Sequence, residues 1–462
     1  MKSALSLRVC YDNQGWICMD GVLCMDLDFN DTIAAISTPL GFGGIGVVRI
    51  SGPQAFSIAV SISDIKMPES HRAYHKWLSG NIDEVVITFF RSPKSYTGED
   101  IVEISCHGSP VVVRRLLALI LANGARLAGR GEFTKRAFLN NKIDLMQAES
   151  VLSLVSAQSE AIADLSTAQL HGKLSAEINA LKDSLVSILS EVQASIDFPD
   201  DFGPLDPLEK KIADFINTLD LILSNCSYGK LIRNGVNVVI AGKPNVGKSS
   251  LLNALLRESR AIVTAIPGTT RDAIVEGLNI KGFQFNIIDT AGIRKTNEFI
   301  EQQGINIAKK YIELADLVLL VLDVSQPLDA MDDEMLDLIK NRESIKVLNK
   351  IDLGVVLTQE GVKVSAFKGM GILELEEAML DFVITKKGNN SDVVLTTERQ
   401  ADCLNKAKGI LQEIIKDITI KVSMDIVSVK IQEAIEALDE MSGIRVGDEV
   451  LDRIFSQFCV GK

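Results

Sequence analysis

The sequence predicts a multidomain protein that mixes α/β and all-α parts. It reads as an N-terminal α+β domain and a helical domain split in two, with a mostly parallel α/β domain inserted between the halves. Three observations predict this. At 462 residues the chain exceeds what one hydrophobic core organises and fits about three domains. Its texture shifts from short β-like runs with many glycines to helical periodicity, and then to strands alternating with helices. Helical periodicity returns at the end, so the alternating part is most simply an insertion, although two separate helical domains would read the same way. The expected boundaries are an extension over 1–29, the α+β domain over 30–141, helical parts over 142–234 and 386–462, and the inserted domain over 235–385.

In the first domain, Ile45 to Ile50, Val85 to Phe90 and Ile101 to Ser105 read as strands, and Val111 to Ala122 as a helix. Further on, Leu170, Leu174, Ile178, Leu181, Leu185, Ile188 and Val192 recur at spacings of three and four and share one helix face. Pro199, Gly203, Pro204 and Pro207 break the chain before another helical run, Leu208 to Asn225. The strand candidates of the inserted domain are Asn237 to Ala241, Phe283 to Ile288, Leu317 to Val324, Ile345 to Asn349 and Val362 to Ser365. Helix is expected again from Thr396 to Met441.

Composition narrows the class. A hydrophobic fraction of 47% and a charged fraction of 24% are ordinary for a globular protein. No apolar run reaches the ~18 residues of a membrane span, so no membrane partner is expected. Seven cysteines with no Cys-x-x-Cys pair fit neither a disulfide framework nor a structural zinc site, and agree with a cytoplasmic protein. The net charge of −13 disfavours indiscriminate nucleic-acid binding. Arg114, Arg115, Arg126, Arg130, Lys135, Arg136 and Lys142 nevertheless cluster against the single acid Glu132, as a solvated rim or as a surface for an anion or RNA. Residues 1–29 hold three cysteines and only two basic residues, and look like neither a transit nor a signal peptide. They read as a disordered extension, or as a start placed too early with Met25 as the true one.

The inserted domain carries a phosphate loop, Gly242-Lys243-Pro244-Asn245-Val246-Gly247-Lys248-Ser249, between a strand and a helix that opens at Ser250. Its amides can curl around phosphate oxygens, Lys248 can reach the β- and γ-phosphates, and the Ser249 hydroxyl can hold Mg²⁺. Asp289-Thr290-Ala291-Gly292 ends a later strand, where an aspartate can reach the Mg²⁺ shell and the glycine amide the γ-phosphate. In Asn349-Lys350-Ile351-Asp352 the last carboxylate can accept from the guanine N1–H and exocyclic amine, which adenine cannot supply. Ser365-Ala366 can offer a backbone amide to the guanine oxygen. These motifs in this order imply a GTP site. Thr264-Ala265-Ile266-Pro267-Gly268-Thr269-Thr270-Arg271-Asp272 is the candidate switch, with Thr270 able to complete the Mg²⁺ shell. Ile293 follows Gly292 where many Ras-like proteins place a water-orienting glutamine. Arg271, Arg294 and Glu301 are candidates to make up for it.

These loops, the terminal Phe458-Cys459-Val460-Gly461-Lys462 and upstream stretches such as Gly46-Val47-Val48-Arg49-Ile50-Ser51-Gly52, Tyr96-Thr97-Gly98-Glu99-Asp100 and Arg136-Ala137-Phe138-Leu139-Asn140 resemble the MnmE (TrmE) family of GTPases. The likeness runs from about Asp31 to Lys462. It implies a folate-binding, dimerising N-terminal domain, a split helical domain and an inserted Ras-like G domain. It further implies a homodimer that forms a heterotetramer with the flavoprotein MnmG. Together these would add a carboxymethylaminomethyl or aminomethyl group to the wobble uridine of certain tRNAs. The one-carbon donor would be 5-formyl- or 5,10-methylene-tetrahydrofolate.

Carried over residue by residue, the resemblance places K⁺ at Asn245, Thr264, Ile266 and Thr269, and makes Glu301 the residue that orients the attacking water. Arg49, Glu99, Lys142 and Lys462 match folate-binding positions, and Cys459 is either a small buried hydrophobe or an exposed thiol near the modification chemistry. Ser109, Pro267 and the N-terminal extension depart from the family pattern without touching those residues. A regulatory or ribosome-assembly GTPase would use the same nucleotide motifs, but the folate-type front half and the tail speak against it. A folate enzyme with a vestigial GTPase is opposed by the intact Lys248, Asp289 and Asp352.

Overall fold

The computed structural model describes residues 31–198, 208–258, 275–289, 310–356, 359–387 and 393–462. It divides into two compact units: the described residues through Leu152 with Val446–Lys462, and the described residues of Ser153–Arg445.

The first unit is built on a six-stranded sheet of order β3-β4-β5-β2-β1-β6. Its strands are β1 (Ile33–Ile36), β2 (Ile45–Ser51), β3 (Arg72–Trp77), β4 (Glu84–Phe90), β5 (Ile101–His107) and β6 (Arg126–Leu127). All neighbours are antiparallel except β1 and β6. Helices α1 (Ala55–Ser63) and α2 (Pro110–Ala122) join one face, where Val48, Ile50, Ile58, Ile87, Phe89, Ile104 and Leu116 form the core. Because a strand alternates its faces, burying Val48 and Ile50 there sends Arg49 and Ser51 to the other face. That face carries a smaller cluster of Ile33, Ala35, Ala128 and Phe133, with Phe133 on α3 (Glu132–Leu139). Helix α4 (Leu145–Val155) follows. The C-terminal helix Asp448–Phe455 packs on α3, with the Phe455 and Phe138 rings 6.4 Å apart and Lys135 bonded to Asp452 at 2.8 Å.

The second unit starts with α5 (Glu160–Leu170), α6 (Lys173–Asp197), α7 (Leu208–Ser224) and α8 (Cys226–Asn234). The single face expected from Leu170 to Val192 is interrupted at His171-Gly172. Gly172 there turns to φ +84 and its amide bonds back to Gln169. Of the remaining members, Leu174, Ile178, Leu185, Ile188 and Val192 are buried along α6 as the periodicity requires, and Leu181 is half-buried.

Then come β7 (Val236–Ala241), α9 (Lys248–Glu258), β8 (Val275–Ile280), β9 (Phe283–Asp289), β10 (Leu317–Asp323), α10 (Ala330–Leu338), β11 (Ser344–Asn349), β12 (Val362–Lys363) and α11 (Ile372–Thr385). They form a sheet of order β12-β11-β10-β7-β9-β8, parallel except for the β8–β9 pair. Every residue of β10 is buried, as a central parallel strand covered on both faces should be. The five strands predicted for this sheet are all present. The edge strand β8 escaped the sequence reading, since Glu276 and Gly277 interrupt its apolar pattern. The order changes direction beside β7, so the loop after β7 lies in the crevice where doubly wound sheets bind ligands.

Residues 393–396 return beside the earlier helices: Asn225 Nδ2 donates to the Val393 carbonyl at 3.0 Å, and Gln169 Nε2 to that of Val394 at 2.8 Å. Thr397 and Gln400 then form a capping box that starts α12 (Glu398–Thr419), followed by α13 (Met424–Ser442). No helix among the described residues is long and apolar enough to cross a membrane.

Candidate functional site

The phosphate loop lies between the end of β7 and the first turn of α9, as its motif requires. Val246 is buried in the sheet core and pins the loop from below, while Asn245 and Ser249 are exposed. Asn245 takes a left-handed φ of +63, which its short polar side chain tolerates. Lys248 Nζ donates to the carbonyls of Gly242 at 2.8 Å and Lys243 at 2.7 Å, so its ammonium is held over the loop by acceptors.

The base loop approaches from β11. Asn349 is 2% exposed, and its side chain ties the two loops together. Its Nδ2 donates to the Val246 carbonyl at 2.8 Å, and its Oδ1 accepts from the Ala366 amide at 3.0 Å. Gly247 must be glycine beside this clamp: its φ is +101, and a Cβ there would stand 2.3 Å from Asn349 Nδ2. Ser365 Oγ donates to Asp352 Oδ1 at 2.6 Å and holds that carboxyl below its ordinary range. Strand β12 stops at Lys363, before the predicted Ser365, because the Ser365 amide turns to bond the Met370 carbonyl.

Lys350 Nζ bonds Asp323 Oδ2 at 2.6 Å, and Ser325 bonds the other oxygen. Burial pushes the Asp323 carboxyl up, but the hydrogen bonds from Lys350 and Ser325 outweigh this and hold it low. Asp289 ends β9 opposite Ile240 of β7, at the same edge of the sheet as the phosphate loop. Thr264, Ala265, Ile266, Pro267, Gly268, Thr269, Thr270, Arg271, Thr290, Ala291, Gly292 and Glu301 lie outside the described residues.

A second polar site stands on the face of the first unit's sheet that carries Ile33, Ala35 and Phe133. Strand register puts Arg49 opposite Glu103, and the guanidinium bonds that carboxylate through Nε at 2.9 Å and through a terminal nitrogen at 2.8 Å. The Arg49 carbon lies 5.2 Å from the Tyr96 ring centre and 5.6 Å from that of Phe133. Its other terminal nitrogen is buried without a hydrogen-bond partner among the described residues.

The tail reaches this place. Gly461, at φ +100, leaves no room for a side chain: a Cβ would lie 2.2 Å from the Ile36 carbonyl, and Ser37 Oγ donates to the Gly461 carbonyl at 3.2 Å. Lys462 follows. Its ammonium pKa is lowered by burial and by the nearby Arg49 charge, against the opposing pull of Glu103. Glu99 accepts from Ser51 Oγ at 2.7 Å and from Arg136 at 3.1 and 3.3 Å. Lys142 is exposed and donates to the Pro93 carbonyl at 3.0 Å. Cys459 is an exposed free thiol, so the small-buried-hydrophobe reading does not describe it.

Three members of the basic cluster, Arg126, Lys135 and Arg136, are bonded to acids. Arg136, only 4% exposed, bonds Asp31, Glu99 and Glu132, and Arg126 bonds Asp31 at 2.7 Å and Glu132 at 2.6 Å. Burial pushes the Glu132 carboxyl up, but hydrogen bonds from Arg126, the Gly129 amide and Arg136 bring it down to about 2. A carboxyl lowered from its ordinary 4.5 to about 2 stabilises the fold fully above pH 4.5, and that contribution is lost as pH falls toward 2. Melting temperature should therefore fall more steeply below pH 4.5 in the unaltered chain than in Glu132→Gln. Parallel acid profiles would contradict this.

Sequence reasoning missed Glu103 as the partner of Arg49, the Tyr96–Phe133 shelf, and the aspartates that hold Lys243 and Lys350. Each depends on strand register or on a contact between distant residues, which one sequence does not carry.

The chain matches the description "GTP-binding protein TrmE N-terminus" over residues 32–142 and "MnmE helical domain" over residues 145–459. Three relatives carry the name tRNA modification GTPase MnmE. That of Carboxydothermus hydrogenoformans is 44% identical over 94% of this chain and 99% of its own length. Those of Thermotoga maritima and Alkaliphilus metalliredigens are each 42% identical over 94% of this chain, and over 100% and 99% of their own lengths. With such likeness over 94% of its length, and with the helical-domain match covering residues 145–459, the chain belongs to the MnmE family.

Proposed function

We propose that the chain is a K⁺-stimulated GTPase of tRNA wobble-uridine modification. The observation that carries the GTPase part is the Asn349 clamp, which brings a phosphate cradle and a guanine-type base loop to one strand edge. Lys248 would exchange its two carbonyl acceptors for β- and γ-phosphate oxygens, so no bare ammonium needs to be desolvated first. Asp352, held by Ser365, would accept from the guanine edge, and the Ala366 region would meet its oxygen. Ser249 offers an exposed hydroxyl at the first turn of a helix, a hard oxygen donor of the kind Mg²⁺ takes. Mg²⁺ there would neutralise charge developing on the phosphates. Asn245, with an exposed amide oxygen, fits a K⁺ ligand together with Thr264, Ile266 and Thr269, while Glu301 would orient the attacking water.

In the first unit, Arg49 and Lys462 offer paired positive charge and an unpartnered buried N–H, which suits the carboxylate tail of a tetrahydrofolate. Glu99 supplies a carboxylate for a pterin edge, Lys142 a further cation, and the exposed Cys459 a thiol close by in sequence. Residues 30–141 would then be the folate-binding and dimerising domain and 235–385 the G domain, with 142–234 and 386–462 as the split helical domain. The family reading adds a cytoplasmic homodimer, the flavoprotein MnmG as partner and tRNA as substrate.

The experiment is phosphate release from GTP by the full chain in K⁺ and in Na⁺ at matched ionic strength. Turnover should be at least about tenfold faster in K⁺, as a cation beside the phosphates replaces an arginine finger. Equal rates would rule out the K⁺ mechanism while leaving GTP binding intact.

A further inference from the structure

Lys243 stands at the second position of the phosphate loop, and none of the roles above uses its side chain. Its side chain is 14% exposed, and its ammonium bonds Asp332 Oδ2 at 2.6 Å and Asp329 Oδ2 at 2.8 Å. Both acids belong to the N-terminal turn of α10. Asp329 is the N-cap, and its Oδ1 accepts from the amides of Met331 at 3.0 Å and Asp332 at 3.1 Å. Asp332 completes the capping box by accepting from the Asp329 amide at 3.2 Å. Only 3% of Asp332 is exposed, and its Oδ1 has no hydrogen-bond partner among the described residues. A carboxylate so buried depends on its counter-ion, and Lys243 is the cation that touches it. The same residue's backbone carbonyl is one of the two on which Lys248 rests. One residue thus joins the catalytic lysine's seat to a buried anchor 89 positions away in the chain.

We propose that Asp332 is a positioning residue for the phosphate loop: acting through Lys243, and aided by Asp329, it presets the carbonyls and amides of the loop before nucleotide arrives. The inference rests on the nucleotide reading of this site. A preset loop spends no binding energy on ordering itself, so its loss should appear as weaker binding of ground state and transition state alike.

The test is a double-mutant cycle in the full chain, read by titration with a fluorescent GDP analogue and by GTP turnover, with circular dichroism as the check on folding. Asp332→Asn and Lys243→Met should each weaken GDP binding about tenfold and raise KM alike, with kcat changed less than about threefold. The double variant should bind no more weakly than either single one, because both remove the same link. Lys243→Arg should restore binding to within about threefold, since a guanidinium can still serve both carboxylates.

If Asp332→Asn or Lys243→Met fails to fold, Asp329→Asn decides. Asparagine caps a helix as well as aspartate, so only the charge facing Lys243 is lost, and binding should weaken about threefold. Folded variants that bind GDP like the unaltered chain, or single effects that multiply in the double variant, would overturn the positioning role. Failure of the unaltered chain to bind GDP at all would overturn the nucleotide reading beneath it as well.

Discussion

Asp352→Asn is expected to turn the protein from GTP to XTP. The wild-type carboxylate can only accept, which suits the guanine N1–H and exocyclic amine. Ser365 Oγ already occupies Oδ1 at 2.6 Å, so an asparagine would keep its oxygen toward Ser365 and turn its amide toward the base. That amide is a donor facing guanine's donors, and it matches the extra carbonyl of xanthine. A site built on such pairing discriminates strongly, so GTP affinity should drop at least about a hundredfold and XTP affinity should rise. Competition titrations of GDP and XDP against a fluorescent nucleotide would measure both. An unchanged preference would mean that the base sits elsewhere.

The second large effect is at Gly247. An alanine there must hold φ +101 and put its Cβ 2.3 Å from Asn349 Nδ2. The cheapest relief is to push Asn349 away, which breaks its bonds to the Val246 carbonyl and the Ala366 amide. Buried groups left unpaired cost about 1–3 kcal/mol each, and the strained φ adds about 1–2 kcal/mol. Gly247→Ala should therefore weaken GDP binding by about a hundredfold or more, while the sheet beneath keeps its circular dichroism. Calorimetric titration of GDP checks this. Binding within threefold of the unaltered chain would show that the clamp is not what holds the cradle.

Much of this site was legible from sequence because its chemistry is local. The glycines, Lys248 and Ser249 fall within one turn between a strand and a helix, and an apolar run such as Leu317–Asp323 announces a central strand by itself. The carboxylate of Asp352 also declares its preference by residue type. What stayed hidden depends on pairing between distant segments. Asn349 reads as a base-binding residue, yet in the fold its side chain is a tie between loops 103 residues apart. Lys243 reads as a spacer in its motif, and only the fold brings Asp332 beneath it. The basic stretch from Arg114 to Lys142 read either as a solvated rim or as a surface for an anion or RNA. Asp31, Glu99 and Asp452, which pair with Arg126, Lys135 and Arg136, lie outside that stretch. The fold of α6 shows the reverse error: the periodicity was right, but Gly172 cuts the helix where spacing alone runs on.

The most direct test of the central claim is phosphate release by the full chain from GTP and from ATP, at equal concentration in K⁺ buffer with Mg²⁺. The site described here predicts turnover of GTP, with ATP at background because adenine cannot satisfy Asp352. Equal turnover of the two, or none from GTP, would contradict it.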